Sequence, residues 1–223
     1  MDTVAVRPTV VRGAATRDAL LDAAEALIAD HGFRTPSHRM IAGGAGAHVA
    51  LVNYHFGSKE MLFEAAVERR AARLSQAWRL ALDQVRRSAD PEVEDVLRAW
   101  WEPFADLHLQ DQEDLPWRNY LCVVARLASA PGGNDWYQRY FGTVDRDFQR
   151  ALAETLPLNE QEDLDAGFRY ARSLFGEVLL HRCGKMGGDC VPRGFRENDT
   201  NRLIGFVASG LRGLAHEVPV AAD

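Results

Sequence analysis

The stretch that decides the fold is SHRMIAGGAGAHVALVNYHFGSK, running from Ser37 to Lys59. Ser37 is a residue type that opens helices, because its hydroxyl accepts an amide of the first turn. Met40 and Ile41 are expected to face a core, and Ala42 to sit where two helices touch. Gly46, four residues on, supplies the positive φ of a tight turn. Val52, six residues further, packs a second helix back onto the first. Small residue, glycine and β-branched apolar residue at this spacing describe two short helices crossing at a turn. That geometry presents the second helix to the major groove of DNA.

Working outward, the pattern is helical on both sides, and an all-α chain is expected. Before the motif, Leu20, Ala23, Ala24, Leu27 and Ile28 repeat at helical spacing. Thr16 is the expected N-cap of that helix, with Asp18 in its first turn. Gly32 is its expected left-handed cap, and Phe33 is expected to tuck under the following helix. Residues 1–15 read as a flexible arm carrying Arg7 and Arg12. After the motif, Ser58 caps a helix to about Arg87, rich in good helix formers. Further helices are expected from about Pro91 to Leu109 with Pro103 inside, and from Pro116 to about Ala130. Another runs from Asn134 or Asp135 to about Leu156, and two last ones cover about Asn159–Arg182 and Asp199–Glu217. A glycine-rich loop, Cys183–Arg196, separates that last pair. The expected organisation is an arm (1–15), a three-helix helix-turn-helix domain (16–75) and a larger helical bundle (76–223), with the boundary inside the long helix.

Composition narrows the function class. The chain has 223 residues, 47% of them hydrophobic, and a net charge of −6. Residues 1–75 carry a net +1 and residues 76–223 a net −7, so the motif lies in the less acidic part. No apolar run approaches the roughly 20 residues of a membrane helix. Three cysteines, Cys122, Cys183 and Cys190, do not make a disulfide framework. A soluble cytoplasmic protein is the expectation.

The segment Val49-Ala50-Leu51-Val52-Asn53-Tyr54-His55-Phe56-Gly57-Ser58-Lys59-Glu60 resembles the recognition-helix signature of the TetR family of transcriptional regulators. So do AEALIADHGF before it, and Ser37, Ile41-Ala42 and Ala45-Gly46. The resemblance covers roughly residues 16–65. It implies that Ser37 and Arg39 anchor the first short helix to the DNA backbone. It implies that His48, Val49, Ala50 and Asn53 lie on or near the groove-facing side. Tyr54 and His55 would bind phosphate at the end of the recognition helix, and Lys59 would add a phosphate contact. Arg7 or Arg12 would reach a minor groove. Phe56 is most simply core. The chain departs from the family pattern at Gly43-Gly44, at His48, where a serine cap is common, and at Asn53, where Tyr is common. Asn53 suits bidentate reading of adenine, or is an ordinary surface polar residue.

The C-terminal part is rich in aromatics. All five tryptophans fall between Trp78 and Trp136. A cavity lined by Trp100, Trp101, Phe104, Trp117, Tyr120, Trp136, Tyr137, Phe141 and Phe175 is expected there, and the resemblance implies that it takes a small-molecule effector, mainly apolar or aromatic. Taken singly, each is more simply a core aromatic. Leu203, Phe206, Val207, Leu211 and Leu214 on the last helix, with Phe168, Ala171, Phe175, Val178 and Leu179 on the one before, form stripes for a four-helix homodimer contact.

No catalytic set stands out, so the chain is not expected to be an enzyme. No Gly-x-Ser-x-Gly elbow or phosphate loop occurs. His181, Cys183, Asp189 and Cys190 lack the spacing of a zinc knuckle, and no cofactor or metal is expected. The leading reading is a dimeric, ligand-responsive regulator, a repressor in the first instance, that binds a pseudo-palindrome in double-stranded DNA. The alternative is a helical ligand- or partner-binding protein whose helix-turn-helix no longer reads DNA.

Overall fold

The computed structural model describes residues 8–110, 115–129, 135–156, 161–184 and 197–215. Among these there are nine helices and no strand. They are α1 (Pro8–His31), α2 (His38–Gly44), α3 (Ala50–Phe56), α4 (Lys59–Val85), α5 (Val93–Gln110), α6 (Leu115–Ala128), α7 (Asp135–Thr155), α8 (Gln161–Arg182) and α9 (Glu197–Ala215). None is long and apolar enough to cross a membrane.

The first helix differs from expectation. It starts at Pro8, so Thr16 lies inside it and residues 8–15 are helical. Proline is favoured in a first helical turn, where its missing N–H costs nothing. No residue between Pro8 and Thr16 other than Gly13 opposes helix. Arg12 therefore falls within α1, while Arg7 lies outside the described residues.

Leu20, Leu21, Ala24 and Ile28 of α1 are buried against Leu62, Phe63, Ala66 and Val67 of α4. Helix α4 continues past them to bury Leu74, Trp78 and Leu82 among α5–α7. One rigid rod thus belongs to both halves of the molecule. Helix α6 packs under α1, and its polar side chains tie the two halves together. Arg126 donates from Nε and Nη2 to the Ala29 carbonyl (3.0 and 2.9 Å) and from Nη2 to the Asp30 carbonyl (3.3 Å). These carbonyls end α1 and lack intrahelical partners, so a cation there suits both hydrogen bonding and the helix dipole. Phe33, expected under the following helix, finds its ring partners elsewhere. It packs on Phe63 of α4 and Trp136 of α7, with ring centroids 5.9 Å apart in each case.

Candidate nucleic-acid interface

Local sequence explains how the α2–α3 unit is held. Ser37 caps α2 from an extended backbone (φ −102°, ψ 159°), its hydroxyl accepting from the Met40 amide at 3.3 Å. Ile41 and Ala42 are buried, and Gly46 turns the chain at φ +60°. Met40 does not face the core as expected. It is 38% exposed, one position round the helix from Ile41. Gly44 has a packing reason: a Cβ there would meet the Ala23 Cβ of α1 at 3.2 Å. Gly43 faces open space.

Val52 and Phe56 anchor α3, which leaves His48, Val49, Ala50, Asn53 and Tyr54 exposed beside one another. Tyr54 is 80% exposed, an unusual state for a tyrosine unless its ring meets a partner. His48 takes over the capping work of a serine. Its Nδ1 accepts from the Ala50 amide at 3.3 Å, which requires the tautomer carrying its proton on Nε2. His55 is half-buried, and its ring stands edge-on to that of Tyr54, 5.0 Å between centroids. The Arg17 guanidinium of α1 lies 5.0 Å over the Phe56 ring and clamps the far side of α3.

On the flanks, Ser37 and Arg39 are exposed. Gly57 (φ +78°) stops α3, and Ser58 caps α4 by accepting from the Met61 amide at 3.1 Å. The Lys59 ammonium lies 5.6 Å over the Phe63 ring, close to the start of α4. Glu60 sits beside it, its carboxyl held below the usual range by a backbone amide and the Ser58 hydroxyl. The two charges oppose each other, so attraction for a phosphate here depends on the reach of Lys59 and on α4's free amides.

The sequence reading missed a buried polar joint behind this surface. Glu25 of α1 is fully buried and faces α4. Its Oε1 and Oε2 accept from Arg70 Nη1 at 2.5 and 2.8 Å, and Arg69 stands 3.5 Å away while pairing with Asp22 at 2.5 Å. Burial pushes the Glu25 carboxyl up to about 7, against the pull of Arg70 and then Arg69. Arg70 also lies over the rings of Trp117 and Tyr120 at 5.7 and 5.8 Å, and the Tyr120 hydroxyl donates to the Val67 carbonyl at 2.6 Å. A signal existed in the sequence: a carboxylate four residues after Leu21 and three before Ile28 sits on the buried stripe.

The nine aromatics expected to line an effector cavity divide by place. Trp117, Tyr120 and Trp136 belong to the joint between the two halves, because α6 and the start of α7 lie against α1 and α4. Trp100, Trp101, Phe104, Tyr137, Phe141 and Phe175 pack ring on ring in the bundle. Trp100 stacks on Trp78 (5.8 Å) and on Phe175 (5.2 Å), and Phe141 meets Trp78 edge-on at 5.6 Å. The void beside Trp100 and Phe175 is about 10 Å³, room for one water at most. The six thus pack as an aromatic core around that small void. Tyr137 joins a buried polar triad: its hydroxyl donates to Asp145 (3.1 Å), which also accepts from Arg172 (2.7 Å).

The stripes expected to dimerise turn mostly inward. Phe168, Ala171, Phe175 and Leu179 of α8, with Val207 and Leu211 of α9, are buried in the chain's own core. The outward apolar face consists of Tyr170 (60% exposed), Phe206 (71% exposed), Leu174 and Leu214, beside Gly210. No group of three potential metal ligands occurs among the described residues, while Asp189 and Cys190 lie outside them.

Residues 20–66 match the family model of bacterial regulatory proteins of the tetR family. No curated protein sequence matches the chain. In fold the chain is similar to the fatty acid degradation regulator FadR from Bacillus halodurans (20% identity, TM-score 0.50, 88% of this chain and 97% of that one covered). It is also similar to a TetR family transcription regulator from Marinobacter aquaeolei VT8 (20%, 0.51, 90% and 97%). A tetR-family transcriptional regulator from Streptomyces coelicolor is a third (18%, 0.50, 90% and 81%). At these identities the likeness is one of fold.

Proposed function

We propose that this chain, whose residues 20–66 match the family model of bacterial regulatory proteins of the tetR family, is a ligand-responsive repressor that binds a pseudo-palindromic operator as a homodimer. The observation that carries the reading is the outward face of α3. His48, Val49, Ala50, Asn53 and Tyr54 are exposed together while Val52 and Phe56 hold the helix down. Asn53 supplies a paired donor and acceptor for a base edge, and Val49 and Ala50 suit a thymine methyl. Tyr54, Lys59, Ser37 and Arg39 ring that face with phosphate partners. His55, half-buried under Tyr54, orients the Tyr54 ring more than it reaches DNA.

Dimerisation follows from the outward apolar face of α8 and α9. Phe206 and Tyr170 flank a groove floored by Gly167 and Gly210, and a second copy related by a two-fold axis covers it. Two α3 helices one DNA turn apart, about 34–36 Å, then read two half-sites. The small-molecule effector acts through the bundle. Because α4 is shared and α6 grips α1 through Arg126, any ligand that separates α5–α8 shifts the angle between the two recognition helices. Release requires that the ligand bind the two states unequally. A cytoplasmic location is part of the same proposal.

Electrophoretic shift and footprinting on the DNA upstream of the protein's own gene test this. Two protected half-sites about 10 base pairs apart, lost in Asn53→Ala, are expected. No shift at low salt, with small-molecule binding intact, would favour a ligand-binding protein that no longer reads DNA.

A further inference from the structure

A second cavity lies outside the aromatic core, between α7 and α8. Its volume is about 200 Å³. Three arginines line it, Arg146, Arg169 and Arg172, against two aspartates, Asp145 and Asp165. Both carboxylates are already occupied. Asp145 accepts from Tyr137 and Arg172, and Asp165 accepts from Gln149 (3.1 Å) and Gln161 (2.9 Å). The arginines are less so. Arg146 bonds the Thr143 hydroxyl at 3.2 Å, and Arg169 lies over its neighbour Tyr170. Among the described residues neither has a carboxylate within ion-pair distance on this side. The cavity therefore holds an excess of donors.

Two residues of its wall, Phe168 and Arg172, also line the 10 Å³ void beside Trp100, Phe148 and Phe175. They are the partition between the polar cavity and the aromatic core. On that partition Arg172 spends Nη1 on Asp145, while its Nε is buried with no acceptor. Behind it the Trp100 Nε1 is buried with no acceptor either. Buried donors normally have partners, and the two residues that carry these unpartnered donors both line that small void.

We propose that this partition is the effector's seat and that the effector is a flat, mainly apolar carboxylate. Its acid group occupies the α7–α8 cavity, accepting from Arg172 Nε and from Arg169. Its body enters beside Phe168 and widens the void toward Trp100. Carboxylate on guanidinium is the pairing that planar, two-point recognition favours. Seating the ligand pushes Phe168 of α8 away from Trp100 of α5, which moves the bundle that α4 and α6 connect to α1. The inference rests on reading the bundle as an effector domain, and it adds the ligand's chemical class and its point of entry.

The test is a titration of the full-length dimer, without DNA, with benzoate, phenylacetate and 2-naphthoate, each beside its neutral amide. Calorimetry and tryptophan fluorescence are the readouts. At least one acid is expected to bind about tenfold or more tighter than its amide. Binding should quench fluorescence, and the quench should shrink in Trp100→Phe. Arg172→Lys keeps a cation on Asp145 but removes the Nε donor, and Arg169→Gln alters an exposed side chain that the fold does not need. Each should weaken the acid about tenfold and leave the amide unchanged. Acids that bind no better than their amides, or acid binding indifferent to both variants, would overturn the proposal while leaving DNA binding untouched. Loss of the DNA shift with acid binding intact would sink the regulator reading instead.

Discussion

The two adjacent glycines of α2 should respond oppositely to the same substitution. Both have negative φ, so neither needs glycine for its backbone conformation. Glycine inside a helix costs about 1 kcal/mol relative to alanine, mainly through the entropy of the unfolded chain. At Gly43 nothing lies within 4 Å of an added Cβ. Gly43→Ala should therefore recover most of that difference, about 0.5–1 kcal/mol, since the site is close to a helix end where the effect is reduced. For a protein of this size that raises Tm by about 2–3 °C. At Gly44 the added carbon would stand 3.2 Å from the Ala23 Cβ, a contact between two atoms fixed to backbone. To relieve it α1 and α2 must separate by a few tenths of an ångström. That movement loosens the seam where Ile41 and Ala42 are buried. Gly44→Ala should cancel its entropic gain or destabilise by up to about 1–2 kcal/mol. Urea unfolding at constant m-value and thermal unfolding measure both. Equal stabilisation by the two alanines would refute the packing account of Gly44. A destabilising Gly43→Ala would refute the open-site account of Gly43.

Glu25 gives a pH prediction. Its folded value, about 7, lies above its ordinary 4.5, so folding favours the protonated acid. Its contribution is fully present below pH 4.5 and is lost as pH rises through about 7, a change on the order of 3 kcal/mol. Glu25→Gln should flatten stability across that window, and an unchanged slope in pH-dependent urea unfolding would contradict this. Arg126→Ala removes three donations to the end of α1 and should cost about 1.5–3 kcal/mol, with faster amide exchange in residues 28–34. Phe206→Asp buries a charge in the proposed dimer contact and should give monomers by sedimentation at micromolar concentration, with the circular dichroism unchanged.

Much of this fold was legible because its signals are local. Ser37, Gly46 and Ser58 act on their own backbone, so residue type alone locates the starts of α2 and α4 and the turn before α3. The start of α1 was misread because nothing local distinguishes a helix that begins at Pro8 from one that begins at Thr16. The outward side of α3 was legible from Val52 and Phe56, which leave only one face free. The aromatic bundle was not. Whether Trp100 faces a chamber or a neighbouring ring depends on how α4, α5 and α8 approach one another, and no sequence spacing encodes that distance. The same holds for α8 and α9, whose apolar stripes are broad enough to pack inward with Phe168 and Leu211 while still presenting Tyr170 and Phe206. Glu25 was overlooked because its partners, Arg69 and Arg70, lie some forty-five residues away.

The central claim is that the exposed face of α3 reads DNA while its flanks hold phosphate. The most direct measurement is affinity for the upstream fragment as a function of salt, for the native chain, for Tyr54→Phe with Lys59→Ala, and for Asn53→Ala. The flank variant should bind more weakly on every sequence. Its log–log salt slope should be shallower by about 2, one lost lysine contact per protomer. Asn53→Ala should keep the native slope and lose about 1–3 kcal/mol of preference for the specific site. Native affinity and slope in both variants would contradict the account.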